Sequence, residues 1–172
     1  MTHPAVDAVL GFVKDNWSAG TYGDIPIERV DRDNSELLDG NVRSHSEDLQ
    51  ASNYVGATVA DADRQAIGTE YDHSLEVVVG VRIEGAHHTE YGYIDPDASL
   101  PPATAGEPVP WSEFVDEVRT AILRDRTFPS TSRSDIGYTD LQIANDTPAA
   151  SDYGDYYRRD FDIILSGFET LP

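Results

Sequence analysis

The sequence predicts an α+β fold in which an N-terminal helix and a second amphipathic helix pack on a mainly antiparallel sheet. Three observations indicate it: apolar residues at helical spacing near the N-terminus, strict alternation from Leu75 to Ile83, and a second helical pattern that starts at Trp111. With 172 residues and 39% hydrophobic content, the chain can bury one core. We therefore expect a single domain over residues 1–172.

The first helix is predicted over residues 4–18. Its apolar residues recur at helical spacing and are Val6, Val9, Leu10, Val13 and Trp17. Pro4 suits the first turn, because its missing N–H would have no partner there in any case.

The segment that follows predicts short strands with weaker signals. Ile25–Val30 is expected to be a short strand in which Pro26 marks an edge or the first residue. The polar residues 31–52 are expected to form a loop that contains a small strand. Tyr54–Ala60 and Ala66–Tyr71 are better strand candidates, and residues 61–65, with the sequence Asp-Ala-Asp-Arg-Gln, are expected to join them.

The best-defined patterns lie in the middle of the chain. From Leu75 to Ile83 every second residue is a large apolar one, which predicts a strand with one buried face. The second helix is predicted over residues 111–126, with acidic residues early and arginines late, as the helix dipole favours. Its apolar residues are Trp111, Phe114, Val115, Val118, Ala121 and Ile122.

Two strands are expected near the C-terminus. The first is predicted from the alternating Thr139, Leu141 and Ile143, and the second from Tyr157, Phe161, Ile163 and Leu165. Between them, Asn145–Tyr156 is longer than an ordinary hairpin loop. We expect a loop that becomes ordered on contact with a partner, and plain disorder is the alternative.

The charge of the chain restricts its partners. Acids outnumber bases 32 to 12, the formal net charge is −20, and Lys14 is the single lysine. This composition resembles that of proteins from extreme halophiles, because concentrated salt shortens the Debye length to about 3 Å at 1 M and screens the repulsion. A surface without a basic footprint does not favour the phosphate backbone, so we expect DNA to pass without specific binding.

The residues that carry chemistry do not form a known constellation. The chain has no cysteine, no glycine-rich phosphate loop and no G-x-S-x-G turn. His87 and His88 are adjacent and would point to opposite faces of an extended chain, which does not favour a shared metal. We expect no catalytic residue, no cofactor and no metal. No apolar run is long enough to span a membrane, so no membrane partner is expected either.

One cluster has residue types that favour protein contacts. Tyrosine and arginine are enriched at interfaces, and both flank the long loop. The candidate subunit or partner interface comprises Asp152, Tyr153, Tyr156, Arg158 and Arg159. Tyr157 is expected to alternate into the core.

The order of these elements resembles the tail terminator, or tail completion, proteins of tailed viruses. The likeness is carried by Val6–Trp17, Leu75–Ile83, Trp111–Arg126 and the two strands that end at Phe168. It implies a homo-oligomeric ring, usually of six subunits, that caps the tail tube, ends its growth and binds a head or neck connector. The expected location is the tail or neck of the virion, assembled in the host cytoplasm. The composition adds a haloarchaeal virus or provirus as the expected source.

Other functions remain open at this point. A head completion or neck protein would share the size, the acidity and the ring. A cellular halophilic domain could bind a small molecule or a protein, with the proline-rich loop Asp95–Val109 beside a pocket. The acidic segment Asp31–Asp63 departs from the tail terminator pattern. The resemblance therefore does not give the number of strands in this part of the chain.

Overall fold

The structure is a computed structural model that describes the chain in segments. They are residues 3–17, 27–31, 36–37, 53–67, 69–86, 92–95, 108–124, 136–146, 151–153 and 156–170. Within these segments the helices are α1 (Pro4–Asn16) and α2 (Trp111–Leu123). The strands are β1 (Glu28–Asp31), β2 (Glu36–Leu37), β3 (Tyr54–Ile67), β4 (Thr69–Ala86), β5 (Tyr93–Ile94), β6 (Val109–Pro110), β7 (Ile136–Ala144), β8 (Ser151–Tyr153) and β9 (Tyr156–Thr170).

The main sheet has the strand order β2-β1-β3-β4-β9-β7, and β8 pairs with the start of β9. Every pair is antiparallel except β1 with β3, which is parallel. Both helices share a core with one side of this sheet, here called the helix face, and the opposite side is called the outer face. This arrangement confirms the predicted α+β class with two helices packed on the sheet.

Helix α1 begins as the sequence predicts. The imidazole Nδ1 of His3 accepts a hydrogen bond from the Ala5 amide at 3.1 Å and caps the first turn, and Pro4 follows at the first helical position. The predicted apolar residues Val6, Val9, Leu10 and Val13 are fully buried. Trp17 packs edge-on against Phe114 of α2, with ring centroids 5.6 Å apart.

Helix α2 buries the six apolar residues that predicted it. Its C-terminal end is joined to that of α1, because the Asn16 side-chain amide donates to the Ala121 carbonyl at 3.0 Å. The Arg124 guanidinium in turn donates to the Asn16 carbonyl at 3.2 Å. The helix ends at Leu123, and the last two residues of the predicted range lie outside the described residues.

The prediction of two strands joined by residues 61–65 is wrong. Residues 54–67 form the single strand β3, which pairs with β4 from Tyr54 opposite Glu84 to Ile67 opposite Thr69. A β-bulge leaves Ala60 unpaired and shifts the alternation by one residue. Residues 60–67 are all exposed. Their polar composition is therefore that of a strand exposed on both faces and does not mark a turn.

The predicted alternation of Thr139, Leu141 and Ile143 also needs a correction. A second β-bulge leaves Thr139 unpaired, so that the inward residues are Ile136 and Tyr138 before it and Leu141 after it. Thr139 itself is exposed. Gly167 lies opposite this bulge, where a Cβ would overlap the Gly137 carbonyl and the Tyr138 backbone.

The expected dozen-residue loop Asn145–Tyr156 contains a strand. Residues Ser151–Tyr153 form β8, which turns back onto β9 with Tyr153 opposite Tyr156. Asn145 and Asp146 are also described, whereas residues 147–150 and 154–155 are not. The expected strand Ile25–Val30 is observed as Glu28–Asp31, and residues 25–26 lie outside the described part.

Trp111 lies at the junction between α2 and the sheet. Its indole stacks on the Tyr157 ring with centroids 5.6 Å apart. Gly85 of β4 provides the space, because a Cβ there would lie 2.8 Å from Trp111 Cζ3 and 2.7 Å from Ile94 Cγ2. The Tyr157 hydroxyl accepts a hydrogen bond from the Gly92 amide at 2.7 Å, which fixes the ring beneath the indole.

Asn53 connects β4 to the segment that follows it. This fully buried side chain accepts a hydrogen bond at Oδ1 from the Ala86 amide at 2.9 Å and donates from Nδ2 to the Asp95 carbonyl at 2.7 Å. The Asp95 amide donates to the Ala86 carbonyl at 3.0 Å. These hydrogen bonds join Asn53, Ala86 and Asp95 at this end of the sheet and satisfy their polar groups.

Gly85→Ala should destabilise the fold by about 1–3 kcal/mol, because the added methyl group overlaps the Trp111 ring in a packed core. Gly80→Ala on the same strand is the matched control, since the nearest atom to its new Cβ would be Thr58 Cγ2 at 3.6 Å. Urea unfolding of both variants at one salt concentration measures the difference. Equal midpoints would contradict the packing described for Trp111.

Candidate interaction surfaces

The predicted interface residues lie on β8 and at the start of β9. Asp152 and Tyr153 are in β8, and Tyr156 begins β9. Arg158 and Arg159 follow on opposite faces of the sheet, with 24% and 14% of their side chains exposed. Tyr157, which was expected in the core, is buried.

Arg159 is bound within the chain. On the helix face its Nε donates to Asp146 Oδ1 at 2.7 Å, and Arg119 Nη1 of α2 lies 2.9 Å from Asp146 Oδ2. The Asp146 side chain is 19% exposed. One carboxylate therefore connects three parts of the chain: helix α2, the residues that follow β7, and strand β9. Arg159 thus stabilises the fold of the single chain. Asp146 was not singled out from the sequence.

Asn145 holds the same stretch of chain to the outer face. Its φ of 54° is in the left-handed region, which asparagine tolerates better than most residues. Its side-chain amide donates to Asp162 Oδ2 at 2.7 Å. The beginning of the predicted loop is thus fixed to both faces of the sheet by consecutive residues.

Asp146→Asn should lower the free energy of unfolding by about 1–3 kcal/mol, because two partly buried guanidinium groups lose the carboxylate between them. Asp116→Asn is the matched control: this side chain is 69% exposed and pairs with the same Arg119 at 3.2 Å. Exposed pairs of this kind contribute about 0–1 kcal/mol. Urea unfolding that gives the two variants the same loss would disprove the bridging role.

Arg158 belongs to a cluster on the outer face. Its Nη2 donates to Asp160 Oδ2 at 2.6 Å, and Arg82 Nε donates to Asp160 Oδ1 at 3.2 Å. Partial burial raises the pKa of Asp160, but the hydrogen bonds and charges of Arg158 and Arg82 outweigh it, so the pKa lies below its usual 3.8. Both arginines are therefore used to hold one carboxylate.

This cluster gives stability a pH dependence with a defined sign. Because the folded-state pKa of Asp160 is lowered, its contribution is complete above the unfolded-state pKa and is lost as pH falls through the folded-state value. The difference in unfolding free energy between the wild type and Asp160→Asn should therefore be largest from about pH 5 to 7 and shrink below about pH 4. Urea unfolding across this range checks it.

The same pH trend should flatten when the arginines are removed. In an Arg82→Gln/Arg158→Gln background, Asp160→Asn should produce nearly the same small change at every pH. A trend that persists in this background would assign the pH dependence to another group.

The exposed end of β3 is the second surface. Residues 60–67 of β3, here called the arm, pair with the start of β4 on one side. On the other side β1 pairs with β3 only over Tyr54–Ala57, so among the described residues the edge of the arm has no neighbouring strand. Because Asp63 pairs with Glu76 and Arg64 with Leu75, the arm directs Asp63 to the outer face and Arg64 to the helix face.

A depression of about 340 Å³ lies on the outer face where the arm joins the sheet. It is lined by Asp63, Gln65, Ser74, Leu75, Glu76, Thr139, Ser166, Gly167 and Phe168. Phe168 is 52% exposed, and Ile67 at the end of the arm is 42% exposed. The lining combines carboxylates, hydroxyl groups and one aromatic ring, which suits a mixed polar and apolar contact with protein.

Comparisons with known proteins do not assign the chain to a family. No family model matches it, and no curated protein matches it. Among the described residues no helix is long and apolar enough to cross a membrane, and no three His, Asp or Glu side chains are grouped to hold a metal ion. His87, His88 and most of the proline-rich loop lie outside these residues.

Proposed function

We propose that the chain is a structural virion protein that assembles into a ring, caps the tail tube of a tailed virus and joins it to the head or neck. One observation carries this proposal: at the arm, a single chain exposes two different surfaces that none of the described residues covers. A closed ring needs two unlike patches of one chain to meet. The arm and the depression beside it are such patches.

The architecture supports the same proposal. The elements that carry the resemblance to tail terminators are present in the expected order: α1, the long strand β4, α2, and the final strands β7 and β9. In this proposal the partners are further copies of the chain, the tail tube protein and a head or neck connector protein. The protein acts by binding and positioning and has no catalytic role.

The charge supports a position around passing DNA. With a net charge of −20, a ring would repel the phosphate backbone and would not retain it. Such a ring would belong to the tail or neck of a haloarchaeal virus or provirus, assembled in the host cytoplasm, where concentrated salt screens the repulsion between subunits. A head completion or neck protein would use the same properties, and its place in the particle would distinguish it.

The mass of the purified protein in roughly 2–3 M salt, where screening is strongest, tests the proposal. Light scattering should give about six times the 18.9 kDa of the chain, and negative-stain images should show closed rings. Dilution to about 0.1 M salt, where the Debye length is about 10 Å, should dissociate them. A mass of one chain at every salt and protein concentration would contradict the ring and favour a cellular binding domain.

A further inference from the structure

The helix-face side of the arm carries a cation with unused hydrogen-bond donors. Arg64 lies between the small residues Ala62 and Ala66 and donates from Nε to the buried carboxylate of Glu169. Its side chain is nevertheless 43% exposed, and its two Nη groups have no partner among the described residues. A guanidinium fork can bind a further carboxylate with two parallel hydrogen bonds.

The outer side of the arm carries the complementary charge. Asp63 and Glu76 are directly opposite each other on neighbouring strands, and both are exposed. Neither carboxylate has a partner among the described residues. Like charges directly opposite in a sheet are destabilising, so a cation placed between them would relieve a repulsion that exists in the single chain.

We propose that the arm of one copy packs front to back on the next copy, with Arg64 of the first copy between Asp63 and Glu76 of the second. This inference rests on the proposed ring. Phe168, beside these acids, provides the apolar part of the contact. Because donor and acceptor surfaces are opposite sides of one strand, the contact cannot be two-fold symmetric and propagates head to tail until a ring closes.

Two other ways of joining copies are less favourable. Edge-to-edge strand pairing would use β3 beyond Ala57 and β7, but both edges carry a β-bulge and an exposed aspartate, Asp61 and Asp140, which are devices that block such pairing. Joining the outer sides of two arms would place Asp63 and Glu76 of one copy against the same two acids of the other. Front-to-back packing is the arrangement that brings opposite charges together.

Cysteine crosslinking tests the contact directly, because the native chain has no cysteine. Ala62→Cys places a thiol beside Arg64 on the helix-face side, and Ser74→Cys places one in the depression. Both variants leave Arg64, Glu169, Asp63 and Glu76 unchanged. Each is prepared with a different tag, and they are mixed and treated with a short bis-maleimide in high salt.

The expected product of the mixture is a crosslinked dimer that carries both tags. Either variant treated alone should give no crosslinked dimer. Homodimers of Ala62→Cys or of Ser74→Cys would show like faces in contact and overturn the proposal. Ring-sized particles without the mixed product would overturn the proposed contact but would support the proposed ring. A mass of one chain throughout would refute both the contact and the proposed function.

Charge reversal provides a second test that does not disturb the Arg64–Glu169 pair. Asp63→Arg/Glu76→Arg should abolish the ring mass while the urea-unfolding midpoint stays close to that of the wild type. Asp15→Arg/Glu117→Arg changes the net charge equally at α1 and α2 and should keep the ring. Rings that persist in the first variant, or disappear in both, would contradict the specific contact.

Discussion

The pairing of β4 with β9 is the constraint on which the rest of the structure depends. It runs without a register shift from Asp72 opposite Thr170 to Ala86 opposite Tyr156. It brings buried apolar residues such as Val79 and Ile163 side by side on the helix face. If β9 slipped by one residue along β4, Asp160 would face the core and Ile163 would face the outer side, so burial of one face fixes the register.

The irregularities lie where the flanking strands pair with these two. The bulge at Ala60 lies in β3 and the bulge at Thr139 in β7, whereas β4 and β9 pair regularly with each other. Bulges bend a strand and increase its twist locally. The sheet is therefore regular in its central pair and irregular where other strands join that pair, and the arm is the part of β3 past its bulge.

The sequence predicts the elements that bury one face better than it predicts the exposed or bulged strands. The helices and Leu75–Ile83 were predictable because each buries one face, and periodicity reports burial. Residues 60–67 are exposed on both sides, so no alternation marks them as a strand, and the bulge at Thr139 changes the phase of the pattern in β7.

The bridge through Asp146 joins positions far apart in sequence, and only the folded arrangement brings them together. The predicted interface residues lie on β8 and β9, and two of them, Arg158 and Arg159, are bound to carboxylates within the chain.

The way the chain uses its few cations supports the proposal that the arm is a contact surface. Arg82, Arg119, Arg158 and Arg159 bind carboxylates of their own chain, and buried Arg29 donates to the Leu10 carbonyl at 3.3 Å. Because the chain has 32 acidic and only 12 basic residues, arginines bound in this way leave a large excess of negative charge, and two such surfaces repel each other even in brine at short range. The proposed assembly then needs either an exposed apolar patch or a cation whose hydrogen-bond donors have no partner among the described residues. Arg64 has such donors, and the exposed Ile67 and Phe168 lie at the same end of the sheet.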